Sequence, residues 1–278
     1  MLKRVSIYFR NDSPKSVLWG KKIKKWINSH YPKIEIIAKK PQVVIVAGGD
    51  GTILEAAQKF RNPNPVIFGL NTGHVGFLAT ARNEKDFFKA LHKLFKGEYR
   101  VVKKMMIKAE VRRKGKKILD TNALNEISIQ NPLGMVELEV AIDGHPFQYI
   151  HGTGLMVATA TGSTAYNLSA HGPIVMPDIK CMILTEIMDH NIPTPSIVIK
   201  RDREVEIKVL GFRKRGLIKI AKTGVPADVL ITADVGESLT SVEIGDVIKI
   251  KRTPVLIKFA ELERGYFFKS LQEKFGFR

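Results

Sequence analysis

The chain has 278 residues, of which 44% are hydrophobic and 26% charged, with a formal net charge of +18. That composition excludes disorder and is long enough for one large domain or two ordinary ones. No run of eighteen apolar residues occurs, so no membrane span is expected, and a lone cysteine, Cys181, excludes an intrachain disulfide and suits the cytoplasm.

The N-terminal residues up to Phe9 alternate loosely and read as a first strand rather than a signal peptide. Ser13-Pro14 opens a helix, with Ser suited to the N-cap and Pro to the first turn, and Leu18, Ile23, Trp26 and Ile27 form its apolar stripe. Segments 34–38, 43–46 and 65–70 are predicted strands, and 52–60 and 84–95 predicted helices, the last stopped by Gly97. Strands alternating with helices argue for an α/β domain with a parallel, doubly wound sheet over residues 1–98.

From Tyr99 the pattern changes. Short apolar strands at 101–111, 127–129, 136–142, 155–158, 205–210, 217–220, 230–232 and 247–250, with turns between them, predict a mainly antiparallel β-rich domain over 99–252. Lys114-Gly115 and Asp143-Gly144 are its hairpin signals. The tail, 253–278, ends in an amphipathic stretch around Tyr266–Phe275 and is expected to pack back on the first domain. Cys181, followed by Met182-Ile183-Leu184, is expected to be a buried structural thiol.

The basic residues are spread along helix faces and hairpins, with no aromatic-interleaved or zinc-finger pattern, so no nucleic-acid partner is expected. A positive surface also concentrates small polyanions such as nucleotides.

Two segments carry chemistry. Gly48-Gly49-Asp50-Gly51-Thr52 follows the apolar run Val43–Val46 and precedes a helix. Strand, glycine turn and helix make an anion site, because glycine permits close backbone approach and the helix N-terminus offers unpaired N–H groups. A carboxylate in the middle of that turn would repel a phosphate, so Asp50 either holds Mg²⁺ or accepts a proton from an attacking hydroxyl. Alone, the motif is equally a tight turn with Asp capping the helix. The second segment, Thr159 to Tyr166, packs small residues and hydroxyls after the strand at 155–158. Ser163 and Thr164 offer hydrogen bonds and Tyr166 a flat face and a phenol, a set able to cradle a nucleotide. The loop at 71–77, including His74, also lies at a strand end.

Taken in order, Gly48–Thr52, Asn125-Glu126 and Thr159–Tyr166 resemble the NAD kinase family, and the resemblance extends to Asn71–Leu78 and Phe267–Leu271. It implies an α/β domain, a β-rich domain and an active site between them. It also implies transfer of a phosphoryl group from ATP, or in some members polyphosphate, to the 2′-hydroxyl of the adenosine ribose of NAD. Asp50 matches the catalytic aspartate and Gly51 the adjacent nucleotide-contacting glycine, within the loop that also holds Gly48, Gly49 and Thr52. Asn125 and Glu126 match the pair that contacts bound nucleotide. Thr164, Ala165, Tyr166 and Ser169 match the stretch around the adenosine, where Thr161, Ser163 and Asn167 are further candidates. Mg²⁺ or another divalent metal is implied on the donor phosphates, and a homodimer or homotetramer is the implied assembly.

The chain departs from the family pattern at several places. Thr153-Gly154 stands where many members have Asp-Gly at the NAD ribose, His151 where an arginine is often found, and Ala160 where a proline is common. Ala233-Asp234-Val235-Gly236 partly resembles an Asp-Gly-Gln turn, making Asp234 a candidate contact, and His171-Gly172-Pro173 replaces Gly-Gly-Pro. The glycine turn by itself also occurs in lipid kinases of the diacylglycerol kinase type and in phosphofructokinases. A lipid kinase and a non-catalytic nucleotide- or nucleic-acid-binding protein are the competing readings, and the segment at 159–166 favours NAD.

Overall fold

The fold is known from a computed structural model, which describes residues 2–73, 76–189, 194–221, 224–234 and 239–276. The chain forms two compact units, Met1–Lys104 with Leu256–Arg278, and Met105–Val255.

In the first unit, β1 (Arg4–Tyr8), α1 (Pro14–His30), β2 (Glu35–Ile36), β3 (Val43–Ala47), α2 (Asp50–Lys59), β4 (Val66–Leu70) and α3 (Phe87–Lys96) alternate, and β5 (Arg100–Arg113) begins. The strands run parallel, β1 pairing with both β2 and β3, and β3 with β4. All five residues of β3 are buried, as a Val/Ile run covered on both faces should be. Ser13 caps α1 by accepting the Ser16 N–H, and Trp19, Ile23 and Ile27 meet Phe87, Leu91 and Leu94 of α3 in one core. Gly97 ends α3 in the left-handed conformation. Two expectations need correction here. The strand predicted over 34–38 is only Glu35–Ile36, because the Ile34 N–H is spent on Tyr31 O in the preceding turn and the pairing with β1 ends at Val5, whose O accepts the Ile37 N–H. The helix predicted to begin at Thr52 begins at Asp50, with Gly49 as its N-cap, so Asp50 is the first helical residue rather than mid-turn.

The second unit contains β6 (Lys116–Ala123), β7 (Glu126–Gln130), β8 (Val136–Ile142), β9 (His145–Thr159), α4 (Tyr166–Ser169), β10 (Cys181–Asp189), β11 (Ile197–Lys200), β12 (Val205–Phe212), β13 (Ile218–Lys219), β14 (Pro226–Ala227), β15 (Val229–Ala233) and β16 (Thr240–Val242). β17 (Val247–Glu261) then leads back to the first unit and α5 (Tyr266–Phe275). The pairings of β6 to β16 described within the second unit are antiparallel. β9 is its spine, joined to β8 along its first half and to β7 and β10 along its second. Lys114-Gly115 and Asp143-Gly144 both take positive φ, the signature of a two-residue hairpin turn. The strands at 116–123, 181–189 and 197–200 were not foreseen. Cys181 opens one of them and is buried. Back in the first unit, β17 lies parallel to β4 through Lys258↔Val66 and Phe259↔Ile67.

Among the described residues no helix is long and apolar enough to cross a membrane.

Candidate functional site

The sequence-predicted residues fall into groups, one in the first unit and the rest in the second. Gly48 to Thr52 join β3 to α2 at the carboxyl end of the parallel sheet, where ligands of such sheets bind. The three glycines differ. A Cβ at Gly48 would lie 2.5 Å from the Thr52 side chain, so the fold itself requires glycine there. At Gly49 and Gly51 a Cβ would meet nothing within 4 Å. Among the described residues no side chain caps the N-terminus of α2, which leaves its first N–H groups without an intrahelical partner beside those glycines.

Asp50 is held by a second loop. Its Oδ2 accepts the Phe77 N–H at 2.7 Å and its Oδ1 the Leu78 N–H at 3.3 Å. A Cβ on Gly76 would fall 2.2 Å from Asp50 Oδ1, so the loop approaches this closely only with glycine at 76. Burial pushes the Asp50 carboxyl above its ordinary range, and the two N–H bonds with the Lys274 and Lys104 ammonium groups pull it back. Each carboxylate oxygen keeps lone-pair capacity beyond those bonds. His74, from the same loop, lies outside the described residues.

In the second unit, Asn125 and Glu126 form a corner before β7. Asp234 braces it, its carboxylate accepting N–H groups of Leu124 (2.8 Å), Asn125 (2.8 Å) and Glu126 (3.3 Å). The hydroxyl-rich turn packs directly on this corner. Thr159 donates its N–H to Asn125 O at 2.7 Å and its hydroxyl to Leu124 O at 2.6 Å, and a Cβ on Gly162 would sit 2.3 Å from Asn125 O. Two buried oxygens here have no partner among the described residues, Asn125 Oδ1 and Glu126 Oε2. Buried acceptors are normally satisfied, so a pair of orphans on adjacent residues marks where something else binds. Burial, with the Asp234 charge added, raises the Glu126 carboxyl to about 8. Tyr166 is half-exposed beside it, its hydroxyl donating to Gln130 Oε1 at 3.1 Å and raised by burial and by the Glu126 charge.

Other residues of the stretch serve the turn itself. Ser163 is fully buried, donating to Ala160 O and Val175 O and accepting from the Val175 N–H. Asn167 is fully buried as well, its amide nitrogen reaching Ser163 O and Pro173 O and its oxygen accepting the Thr185 hydroxyl. Thr161 and Thr164 are buried, Ala165 half-buried, and Ser169 exposed at the end of α4. Gly172 leaves room for Asn167, since a Cβ there would be 2.2 Å from its Oδ1, and His171 takes a left-handed φ of 61°.

His151 and Thr153 are not brought to this corner. Ala158 is the residue of β9 opposite Glu126, and His151 pairs with Glu137 of β8. Seven residues of extended strand separate Ala158 from His151, about 23 Å. There His151 lines a cavity of about 440 Å³ with Glu137, Arg213 and Arg215.

Among the described residues no three His, Cys, Asp or Glu side chains converge as metal ligands, and each Asp50 oxygen accepts one backbone N–H. Sequence reasoning places the loop of Gly76 and Phe77 at a strand end without tying it to Asp50, and misses Lys104 and Lys274.

Comparison with known proteins bears on both units. The ATP-NAD kinase N-terminal domain matches residues 9–99 and the ATP-NAD kinase C-terminal domain residues 124–259. An NAD kinase of Lachnoclostridium phytofermentans is 33% identical over 90% of this chain and 85% of its own length. That of Tropheryma whipplei is 34% identical over 84% of this chain and 73% of its own. Among solved structures, yeast NADH kinase complexed with NADH superposes with a TM-score of 0.88 at 20% identity, covering 100% of this chain and 88% of that one. An NAD kinase from Archaeoglobus fulgidus in complex with ATP gives 0.73 at 25% identity, covering 98% and 97%.

Proposed function

The chain belongs to the NAD kinase family, and from that premise we propose that it phosphorylates the 2′-hydroxyl of the adenosine ribose of NAD, with ATP or polyphosphate as donor, to give NADP. The observation that carries this reading is the pair of buried oxygens beside the hydroxyl-rich turn, Asn125 Oδ1 and Glu126 Oε2, that find no partner among the described residues. They are acceptors waiting for donors, and a ribose or an adenine amino group supplies those. A carboxyl raised to about 8 also lets Glu126 donate its own proton at neutral pH. Thr161, Thr164, Ala165, Tyr166 and Ser169 complete the adenosine contact in this reading, Ser163 and Asn167 hold its turn, and Asp234 braces its corner.

Asp50 is the proton acceptor. As the ribose oxygen bonds to the terminal phosphorus, the bond to the leaving phosphate breaks and the hydroxyl proton passes to the carboxylate. Burial raises the proton affinity of Asp50, which suits a base, while the N–H bonds from Phe77 and Leu78 fix its direction. Gly49, Gly51 and Thr52, with the uncapped N-terminus of α2, receive phosphate oxygens, and Gly48, whose N–H bonds Leu70 O, lets the chain turn against Thr52 into that site. A divalent cation coming in on the donor phosphates would screen their charge. His151 and Thr153, a strand-length from the Asn125 corner, would reach the ligand from a neighbouring copy, so the reading includes a homodimer or homotetramer, resident in the cytoplasm.

The test is NADP formation from NAD, Mg²⁺ and either ATP or polyphosphate, by wild type and Asp50→Asn. The expected result is turnover by wild type with at least one donor and a loss of about 10²- to 10⁴-fold in the variant. Absence of NADP with both donors would sink the reading. Full activity of the variant would remove Asp50 from the chemistry.

A further inference from the structure

Asp50 is held by a loop that is itself held by the last helix of the chain. The Phe77 N–H makes the short bond to Asp50, and the Phe77 ring lies against Phe267 and Phe275 of α5, with centroids 5.7 and 6.3 Å away. Lys274 of α5 stands over the same ring, its Nζ 5.2 Å from the centroid. The helix is pinned in turn by Arg82. Its guanidinium stacks 4.1 Å from the Tyr266 ring, donates to Tyr266 O at 2.8 Å, and bonds the fully buried Ser270 hydroxyl and the Glu273 carboxylate.

We propose that α5 is a positioning element for Asp50, acting through its grip on Phe77 and through the Lys274 ammonium that it brings to that ring. The proposal rests on Asp50 being the proton acceptor. The charged and titratable groups facing Asp50 are Lys274 and Tyr266 of α5 and Lys104 of β5. Lys104 is only 6% exposed and packs on the Phe259 ring, so it is a fixed background charge. Lys274 is exposed and is therefore the charge that can be altered without disturbing the core. Positive charge beside Asp50 favours its ionised form, and removing it moves the carboxyl to higher pH.

The experiment titrates Asp50 directly by ¹³C NMR of the full chain, with Asp50→Asn assigning the signal, in wild type, Lys274→Met and Lys274→Arg. The expected result is a midpoint raised by about 0.3 to 0.5 pH units in Lys274→Met, shrinking as salt is added, and unchanged in Lys274→Arg. The acid limb of the kcat/KM profile for NADP formation moves by the same amount. Phe267→Ala, which loosens the grip on Phe77, lowers kcat, while Phe268→Ala, at a side chain 55% exposed, does not. A midpoint unmoved in Lys274→Met overturns the proposal whether or not the chain makes NADP, and so does Phe267→Ala as active as a wild type that does make it. A moved midpoint in a wild type that makes no NADP leaves the coupling standing and sinks the kinase reading instead.

Discussion

Replacing Gly51 with alanine separates what the fold needs from what the ligand needs. Gly51 is the second residue of α2, its φ is not in the left-handed region, and a Cβ there meets nothing within 4 Å. The folded chain accepts the methyl, and alanine loses less backbone entropy in a helix than glycine. The gain is at most about 1 kcal/mol, which for a protein of this size raises Tm by about 2–4 °C. The same methyl stands in the open space before the uncapped N–H groups of α2. An anion hydrogen-bonded to those groups must come within about 2.9 Å of the nitrogen, where it meets the new carbon. Losing one bond to a charged oxygen costs about 1.5–3 kcal/mol, so kcat/KM for NADP formation falls by about 10- to 100-fold. Stability rises while activity drops. Calorimetry and a coupled assay for NADP read the two effects on one sample. Gly48→Ala is the opposing control, because its Cβ falls 2.5 Å from the Thr52 side chain and should lower Tm. A Gly51→Ala protein that melts earlier than wild type, or keeps kcat/KM within about twofold when one charge-assisted bond is at stake, refutes the reasoning.

In the second unit, Gly162→Ala drives a methyl to 2.3 Å from a backbone carbonyl, Asn125 O. Overpacking against backbone is expected to cost about 1–3 kcal/mol in chemical denaturation and to raise KM for NAD, since the same contact carries the Asn125 corner. The Glu126 carboxyl lies at about 8 in the folded chain against an ordinary 4.5. The folded state therefore binds that proton more tightly, and the stability it carries is lost as pH rises from about 4.5 through 8. Glu126→Gln, which cannot ionise, should exceed wild type by at least about 1 kcal/mol above pH 8 and converge with it near pH 4.5; parallel Tm–pH curves would contradict this. His171 holds a φ of 61° without being glycine. His171→Gly relieves that strain, and a stability between unchanged and about 1 kcal/mol higher is expected from urea melts.

Local signals in the sequence located the elements wherever the cause was local. The Val43–Val46 run is legible because both faces of β3 are covered. The Ser13-Pro14 start is legible because an N-cap is made within one turn, and the hairpin turns because glycine and its neighbour must take positive φ. β6 was missed because it is an edge strand, paired only with β5 and mostly exposed at its start, so no apolar alternation marks it. β10 was missed for the opposite reason. Its continuous apolar run, buried between β9 and β11, carries no period to tell strand from core helix.

The candidate site was legible as segments and opaque as an assembly. Asp50 and Asp234 illustrate why. Each is an aspartate near glycine at the end of a strand, and nothing in their neighbours distinguishes a reacting carboxylate from a brace. The distinction comes from partners remote in sequence. Asp234 accepts N–H groups from three consecutive residues, up to 110 positions away, and so fixes the course of the chain through Asn125 and Glu126. Asp50 accepts two, one short and one long, from a loop 27 and 28 positions on. A carboxylate with room for about four bonds is more fully committed in the first case than in the second. Asp50 keeps the capacity to take a proton, and the loop that leaves it that capacity is the one gripped by α5.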